Sequence, residues 1–301
     1  MAQPRELRRR IKSVENTRKI TKTMEMVATS KMKRAQDRVV AARPYAAALS
    51  EIIAELHDPE LVERFPLLRR PRKGKGGGGG GGIRRAVVVG ITSNRGLCGG
   101  FNNNLIKKTR ERVAALEQEG AEVELQMIGR KGVGYFKYIG RKMGAEYQDI
   151  TDRPTMGDAK RVIDPLMERF EAEDLDAVEI IFAKSVSAIS TPPTVVRVLP
   201  VEVETAGDRQ EGGAVANYIL RPSAHEIVGA VLPLYVRNTM YRALVETAAS
   251  EQGARRTAMK NATDNAGEMI DKLRRVYNRA RQGQITQEIS EIVGGAAAQQ
   301  G

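Results

Sequence analysis

From Ile227 to Ala280 one pattern governs what the chain can fold into. Steps of four and three alternate through Ile227, Val231, Leu234, Asn238, Tyr241, Val245, Ala248, Gln252, Arg255, Met259, Ala262, Ala266, Met269, Leu273, Val276 and Ala280. Only Asn238, Gln252 and Arg255 place strongly polar groups in it. A seam sustained over about seven heptads exceeds the three or four that identify a coiled coil. Pro222-Ser223-Ala224-His225-Glu226 predicts the start, with Ser223 as N-cap and Glu226 at N3. Pro233 predicts a bend near that start. A helix from Ser223 to Val293 rises roughly 105 Å, and its narrow apolar stripe must be buried against another helix.

The N-terminal segment is the natural partner. Between Pro4 and His57 there is no glycine, and Pro44 is the one internal proline. Pro4 suits a first helical turn, and Glu6 suits the positive end of the helix dipole. The apolar positions form blocks: Leu7, Ile11, Val14; then Ile20, Met24, Val27; then Met32, Ala35, Val39, Ala42. Each block has helical spacing, but the register slips between blocks. Pro44 predicts a kink or the end of the straight part. With both long helices flanking one middle region, an antiparallel pair follows from the connectivity. The competing arrangement lays both helices over the middle domain, but no domain of that size has a face about 100 Å long.

The middle reads as a small α/β domain. Arg85–Ile91 is a β-branched apolar run of the kind found in buried parallel strands. Strands are also predicted at 123–128, 145–150, 177–183 and 195–203, and helices at 103–119, 132–139 and 158–171. Alternation of this kind predicts a mostly parallel, Rossmann-like sheet with helices on both faces. The resulting organisation is an N-terminal helix (1–58), a basic Gly-rich linker (59–82), an α/β domain (83–222), and a C-terminal helix with its tail (223–301).

Charge is unevenly distributed. Residues 1–58 carry 13 Lys/Arg against 7 Asp/Glu, and residues 59–82 carry 6 against 2. Residues 83–222 are neutral with 20 of each, and 223–301 hold 10 against 8. The formal net charge of +12 therefore belongs mainly to the first helix and the linker. The linker, with Arg69, Arg70, Arg72, Lys73, Lys75 and the run Gly76–Gly82, reads as a surface loop. No apolar run approaches the ~18 residues of a membrane-spanning helix. The first dozen residues are basic and lack the apolar core of a signal peptide.

Catalytic chemistry finds little footing. One cysteine excludes an internal disulfide and a cysteine-clustered zinc site. The Gly-rich loop from Gly90 to Asn102 follows a strand, as phosphate loops do, but lacks Lys-Ser/Thr and the Gly-x-Gly-x-x-Gly spacing. Cys98 beside glycines, with no base at hand, reads as a small packed residue. His57 and His225 read as surface or cap residues. No cofactor or metal is expected.

Four separate segments are more specific. Ile11-Lys-Ser-Val-Glu-Asn-Thr-Arg-Lys-Ile-Thr-Lys-Thr-Met-Glu-Met-Val-Ala-Thr-Ser-Lys-Met32 resembles the N-terminal helix of the F-type ATP synthase gamma-subunit family. Ser93-Asn-Arg-Gly-Leu-Cys-Gly-Gly-Phe-Asn102 is similar to that family's dome loop. Ala249-Ser-Glu-Gln-Gly-Ala-Arg255 and Asn261-Ala-Thr-Asp-Asn-Ala266 resemble its C-terminal helix. Tyr277-Asn-Arg-Ala-Arg-Gln282, followed by Ile285-Thr-Gln-Glu-Ile-Ser-Glu-Ile-Val-Gly-Gly-Ala296, resembles its C-terminal signature. The Gly76–Gly82 run departs from the family pattern.

The resemblance implies a non-catalytic rotor, a central stalk inside a ring of three alpha and three beta subunits, with the epsilon subunit and the membrane c-ring as further partners. It implies that Lys22, Lys31, Lys33, Arg34 and Arg38 face acidic lever loops of the beta subunits near Met24. It implies interface roles for Arg255, for Arg281 and Gln282 as hydrogen-bonding groups, and for Thr286 and Glu288 in the signature. Ile289, Ile292 and Val293 are then an apolar bearing. The absence of an organelle leader and of a regulatory cysteine pair points to a bacterial protein on the cytoplasmic face of the inner membrane, not inserted in it. Two other classes stay open at this level: a basic coiled-coil protein that binds nucleic acid, and a Rossmann-type enzyme with helical arms. Interleaved aromatics and reader motifs are missing for the first, and phosphate motifs for the second.

Overall fold

A computed structural model describes residues 4–55, 65–69, 82–186, 190–201 and 224–299. The expected Ser223 cap, His57 and the glycine run up to Gly81 lie outside the described residues. In chain order the elements are α1 (Pro4–Glu55), a 3-10 turn at Pro66–Leu68, β1 (Arg85–Ile91), α2 (Phe101–Gln118), β2 (Glu122–Ile128), α3 (Arg130–Tyr138), β3 (Ala145–Tyr147), α4 (Met156–Glu171), β4 (Ala177–Ala183), β5 (Pro193–Leu199) and α5 (Ala224–Gln299). The five expected strands and five expected helices are present, with shifted ends. α1 runs from Pro4 through Pro44 to Glu55 as one helix. Arg43, Pro44 and Tyr45 are exposed, where water can take the carbonyl that a proline leaves unpaired. Pro233 likewise lies inside α5.

The chain forms two compact units, Met1–Thr29 with Arg255–Gly301, and Ser30–Ala254. The second holds the sheet, in the order β3-β2-β1-β4-β5. β1 pairs in parallel with β2 and β4, and β2 with β3. β5 returns antiparallel to β4, with Ile181 opposite Val195. Alternate side chains along each strand feed two cores. Val87, Val89, Val178 and Ile180 face α4, through Val162, Ile163, Leu166 and Phe170. Val88, Leu125, Met127 and Ile181 face α2 and α3, through Leu105, Val113, Leu116 and Phe136. Burial on both faces accounts for the continuous apolar runs.

Local chemistry sets the joints. Thr155 caps α4: its Oγ1 accepts from the Asp158 N–H at 3.2 Å, while Asp158 accepts from the Thr155 N–H at 2.8 Å. Gly129, between β2 and α3, has φ +95, and a Cβ there would lie 2.2 Å from the Thr92 carbonyl oxygen. Only glycine tolerates both conditions.

The beginning of α5 differs from expectation. Val228, Leu232, Val236, Met240 and Leu244 are buried in the α4-side core. Leu234, an expected seam position, is 40% exposed. These turns cover the sheet, and Ile53 of α1 joins the same core. The five buried α5 residues, each four positions from the next, form the core-facing ridge, whereas the expected frame steps by four and three. Further on, Thr247 Oγ1 accepts from the Ala183 N–H at 3.4 Å and the Ser250 hydroxyl donates to the Ala183 carbonyl at 3.1 Å. The helix thus satisfies the last residue of β4. Interleaved with Thr247 and Ser250, Val245 and Ala249 pack with Ala35 and Val39 of α1, and Tyr241 packs against the same cluster.

Candidate functional site

The first compact unit is a pair of helix segments held by a seam that mixes apolar and polar groups. On α1 the inward positions are Leu7, Ile11, Val14, Thr21, Glu25 and Ala28, all buried or half-buried. Arg18 stands in the same four-three frame and is exposed. The register therefore does not slip, as the apolar residues alone suggested. Ile20 and Val27, assigned to the seam from sequence, are 61% and 52% exposed. Polar residues fill the frame between Val14 and Ala28, so a reading by hydrophobicity alone picks up the exposed apolar neighbours instead.

α5 shows the same effect. After Met259 the buried positions are Thr263, Ala266 and Ile270, with Leu273, Tyr277 and Ala280 half-buried. Met269 and Val276, expected inside, are each 52% exposed. Cross-helix contacts fix the direction. The Thr263 hydroxyl lies 2.8 Å from that of Thr21, and Arg274 donates to Glu15 at 2.8 Å. Gly267 opens the surface where the Arg18 guanidinium passes, 3.9 Å from where a Cβ would stand. Positions fall on α1 as they rise on α5, so the segments are antiparallel. Past Ala280, residues 281–295 are all exposed.

The expected interface residues divide into three groups. Lys22 is exposed and pairs with Glu25 at 3.2 Å, and Met24 between them in sequence is half-buried. Lys33 and Arg34 are exposed, Arg34 donating to Ser30 Oγ at 3.2 Å, and Arg38 is half-buried. Lys31 behaves differently: its ammonium is 2.8 Å from Asp152, in the loop between β3 and α4. Burial pushes the Asp152 carboxyl up, but the Lys31 hydrogen bond and charge, with Arg153 and Arg95 nearby, hold it below its ordinary value.

The second group is Arg255 alone, 9% exposed within the helix packing. The third lies on the exposed end of α5. Arg281 is exposed, the Gln282 carbonyl accepts from Thr286 at 3.0 Å, and Glu288 accepts from Gln284 at 2.8 Å. Ile285, Ile289, Ile292 and Val293, between 45% and 72% exposed, follow helical spacing along this end. Ile285 extends the apolar stripe expected from sequence by one turn.

Sequence reasoning missed the buried charge of the α/β domain. Glu179, in the middle of β4, is 2% exposed. Arg112 of α2 grips it with Nε at 2.5 Å and a second nitrogen at 2.7 Å, and Arg197 of β5 adds a contact at 3.1 Å. Burial raises the Glu179 carboxyl, but the two arginines outweigh that and leave it below its ordinary 4.5. The available signal was a lone acid in the apolar run Ala177–Ala183.

The Gly-rich loop is a packed joint. Cys98 is 2% exposed, and its sulfur accepts from Asn102 Nδ2 at 3.2 Å. The Asn102 oxygen in turn accepts from the Ser93 N–H at 3.0 Å. An open cleft of about 480 Å³ at the other end of the sheet balances Arg69, Arg84 and Arg85 against Glu122, Glu173 and Asp176, which gives it no net pull on an anion. Among the described residues no group of His, Cys, Asp or Glu is arranged to hold a metal ion. No helix among them is long and apolar enough to cross a membrane.

Comparison with known proteins agrees over the whole length. A family model described as ATP synthase matches residues 3–299. An ATP synthase gamma chain of Gemmatimonas aurantiaca is 58% identical over 301 residues, covering 100% of both chains. One of Leptospira biflexa is 43% identical over 298 residues, covering 99% of both. In the Euglena gracilis mitochondrial ATP synthase, one chain of the OSCP/F1/c-ring assembly shares the fold with a TM-score of 0.63 at 20% identity. That match covers 98% of this chain and 94% of the other.

Proposed function

The chain belongs to the family of ATP synthase gamma chains, and from that membership we propose that it is the central-stalk rotor of a bacterial F-type ATP synthase. It couples ion flow through the membrane c-ring to conformational change in the catalytic beta subunits, and it catalyses nothing itself. Its partners are the ring of three alpha and three beta subunits, the epsilon subunit and the c-ring. It sits peripherally on the cytoplasmic face of the inner membrane.

The observation that carries this reading is the exposed end of α5. Residues 281–299 rise roughly 28 Å as one helix. Over 281–295 its side chains bury nothing in the chain, and an exposed amphipathic helix of this kind requires an outside partner. A helix pair inside a threefold ring meets three chemically identical sites with three different faces. It therefore stabilises a different conformation at each site, and turning it moves those preferences round the ring. Torque demands resistance to twisting, which the paired segments and their cross-helix bonds supply.

The interface residues follow from the same reading. Lys22, Lys33, Arg34 and Arg38, with Lys31 when it is released, face acidic lever loops near Met24. Exposed ion pairs are individually weak, so these contacts guide without locking. Arg281, Gln282, Thr286 and Glu288 hydrogen-bond to the ring from the end of α5. Arg255 acts from within the helix packing by fixing the shape of the outer face.

The test is reconstitution. The purified chain alone hydrolyses no ATP, and added to a separately purified ring of alpha and beta subunits it co-migrates and rotates on ATP addition. Turnover by the chain alone, or failure to be retained by the ring, overturns the proposal.

A further inference from the structure

Lys31 carries two assignments that cannot hold at the same moment. The interface reading sends it outward to an acidic partner, whereas here its ammonium is engaged with Asp152 at 2.8 Å. Both groups remain partly exposed, 39% for Lys31 and 30% for Asp152. An ion pair in such a position is weak and exchanges readily. Asp152 is not orphaned when Lys31 leaves, because Arg153 and Arg95 also act on its carboxylate. The loop that carries it is held independently: Asn94 donates to the Ile150 carbonyl at 2.7 Å and accepts from the Arg130 N–H at 2.9 Å. Lys31 can therefore come and go while Asp152 stays in place.

We propose that Asp152 is an internal competitor for Lys31, which takes the ammonium back from the acidic partner surface each time that surface moves past. This rests on the reading of Lys31 as an interface residue. A bare lysine leaving an acidic loop must be rehydrated before its next contact. A waiting carboxylate at hydrogen-bond distance lowers the cost of leaving, so the partner contact is broken faster. Asp152 acts here through Lys31 and is a positioning residue.

The experiment uses the full chain assembled with its alpha and beta ring, with steady ATP hydrolysis measured across ionic strength. The Asp152→Asn variant leaves Lys31 without its competitor. Turnover is expected to fall about two- to fivefold at low salt, the range an exposed ion pair spans. Added salt should restore much of it, because screening weakens the lingering partner contact. Lys31→Gln in the same chain should restore turnover without salt, and Asp152→Glu should leave it near the parent rate. Slow turnover that Lys31→Gln does not rescue shows a merely structural Asp152 and overturns the proposal. An unchanged Asp152→Asn rate beside an altered Lys31→Gln rate overturns it too, while leaving the interface role of Lys31 standing. If neither substitution changes turnover or its salt dependence, Lys31 does not meet the ring, and both readings fail together.

Discussion

At the scale of single residues, charge placement decides more than charge count. Glu179 holds three structural elements at one point, because β4 carries it and α2 and β5 supply Arg112 and Arg197. Removing this carboxylate charge costs about 1–3 kcal/mol, because Arg112 and Arg197 keep partial access to water. Glu179→Gln should lower unfolding stability by that order in urea titration at neutral pH. The carboxyl lies below its ordinary 4.5 in the folded chain. Its stabilisation is therefore complete above that value and is lost as pH falls through the lower, folded value. The parent chain should lose stability more steeply than Glu179→Gln as pH falls below 4.5, as read from urea midpoints. Met24, half-buried beside the Lys22–Glu25 pair, tests the outer surface instead. Met24→Lys should assemble normally yet couple proton flow to ATP synthesis poorly in membrane vesicles, because it adds an attraction that each step must break.

At the scale of elements, a long helix changes its job along its length. α5 starts as a cover for the sheet, satisfies the end of β4 with Thr247 and Ser250, pairs with α1, and ends exposed. The shift in frame has a direct test. Ile270 is 3% exposed, whereas its neighbour Met269 is 52% exposed. Ile270→Ala should cost about 2–4 kcal/mol through lost burial and an unfilled space. Met269→Ala should stay within about 0.5 kcal/mol of the parent. Equal effects in thermal unfolding would restore the seam frame read from sequence. The mixed seam has a physical consequence as well. Thr21 and Thr263 give the helix pair a directional bond, where an all-leucine seam could slide by a turn.

At the scale of the whole molecule, function requires a part that the chain's own stability does not. Residues 281–295 are exposed throughout, so a chain ending at Ala280 should unfold at the parent temperature. The same truncation should lower ATP-driven ion pumping by the assembled enzyme, measured in vesicles. A drop in unfolding temperature would show that this end supports the fold after all. The sequence by itself determined the elements: β-branched runs at β1 and β4, a glycine-free helix at the N-terminal end, a four-three seam at the C-terminal end, and loop chemistry between them. Those properties are local, since backbone preference and apolar period act within a few residues. Resemblance also singled out Lys22 and Arg281, and both side chains are exposed. Only the tertiary structure decided the facing of each helix. Apolar period cannot distinguish Ile270 from Met269 when polar Thr263 holds the frame, nor Val228 on a sheet from Ile227 in a seam. Pairings such as Lys31 with Asp152, or Glu179 with Arg112 and Arg197, join residues far apart in the chain. They exist only once the fold has removed water from between them and set the distance at which charge becomes specific.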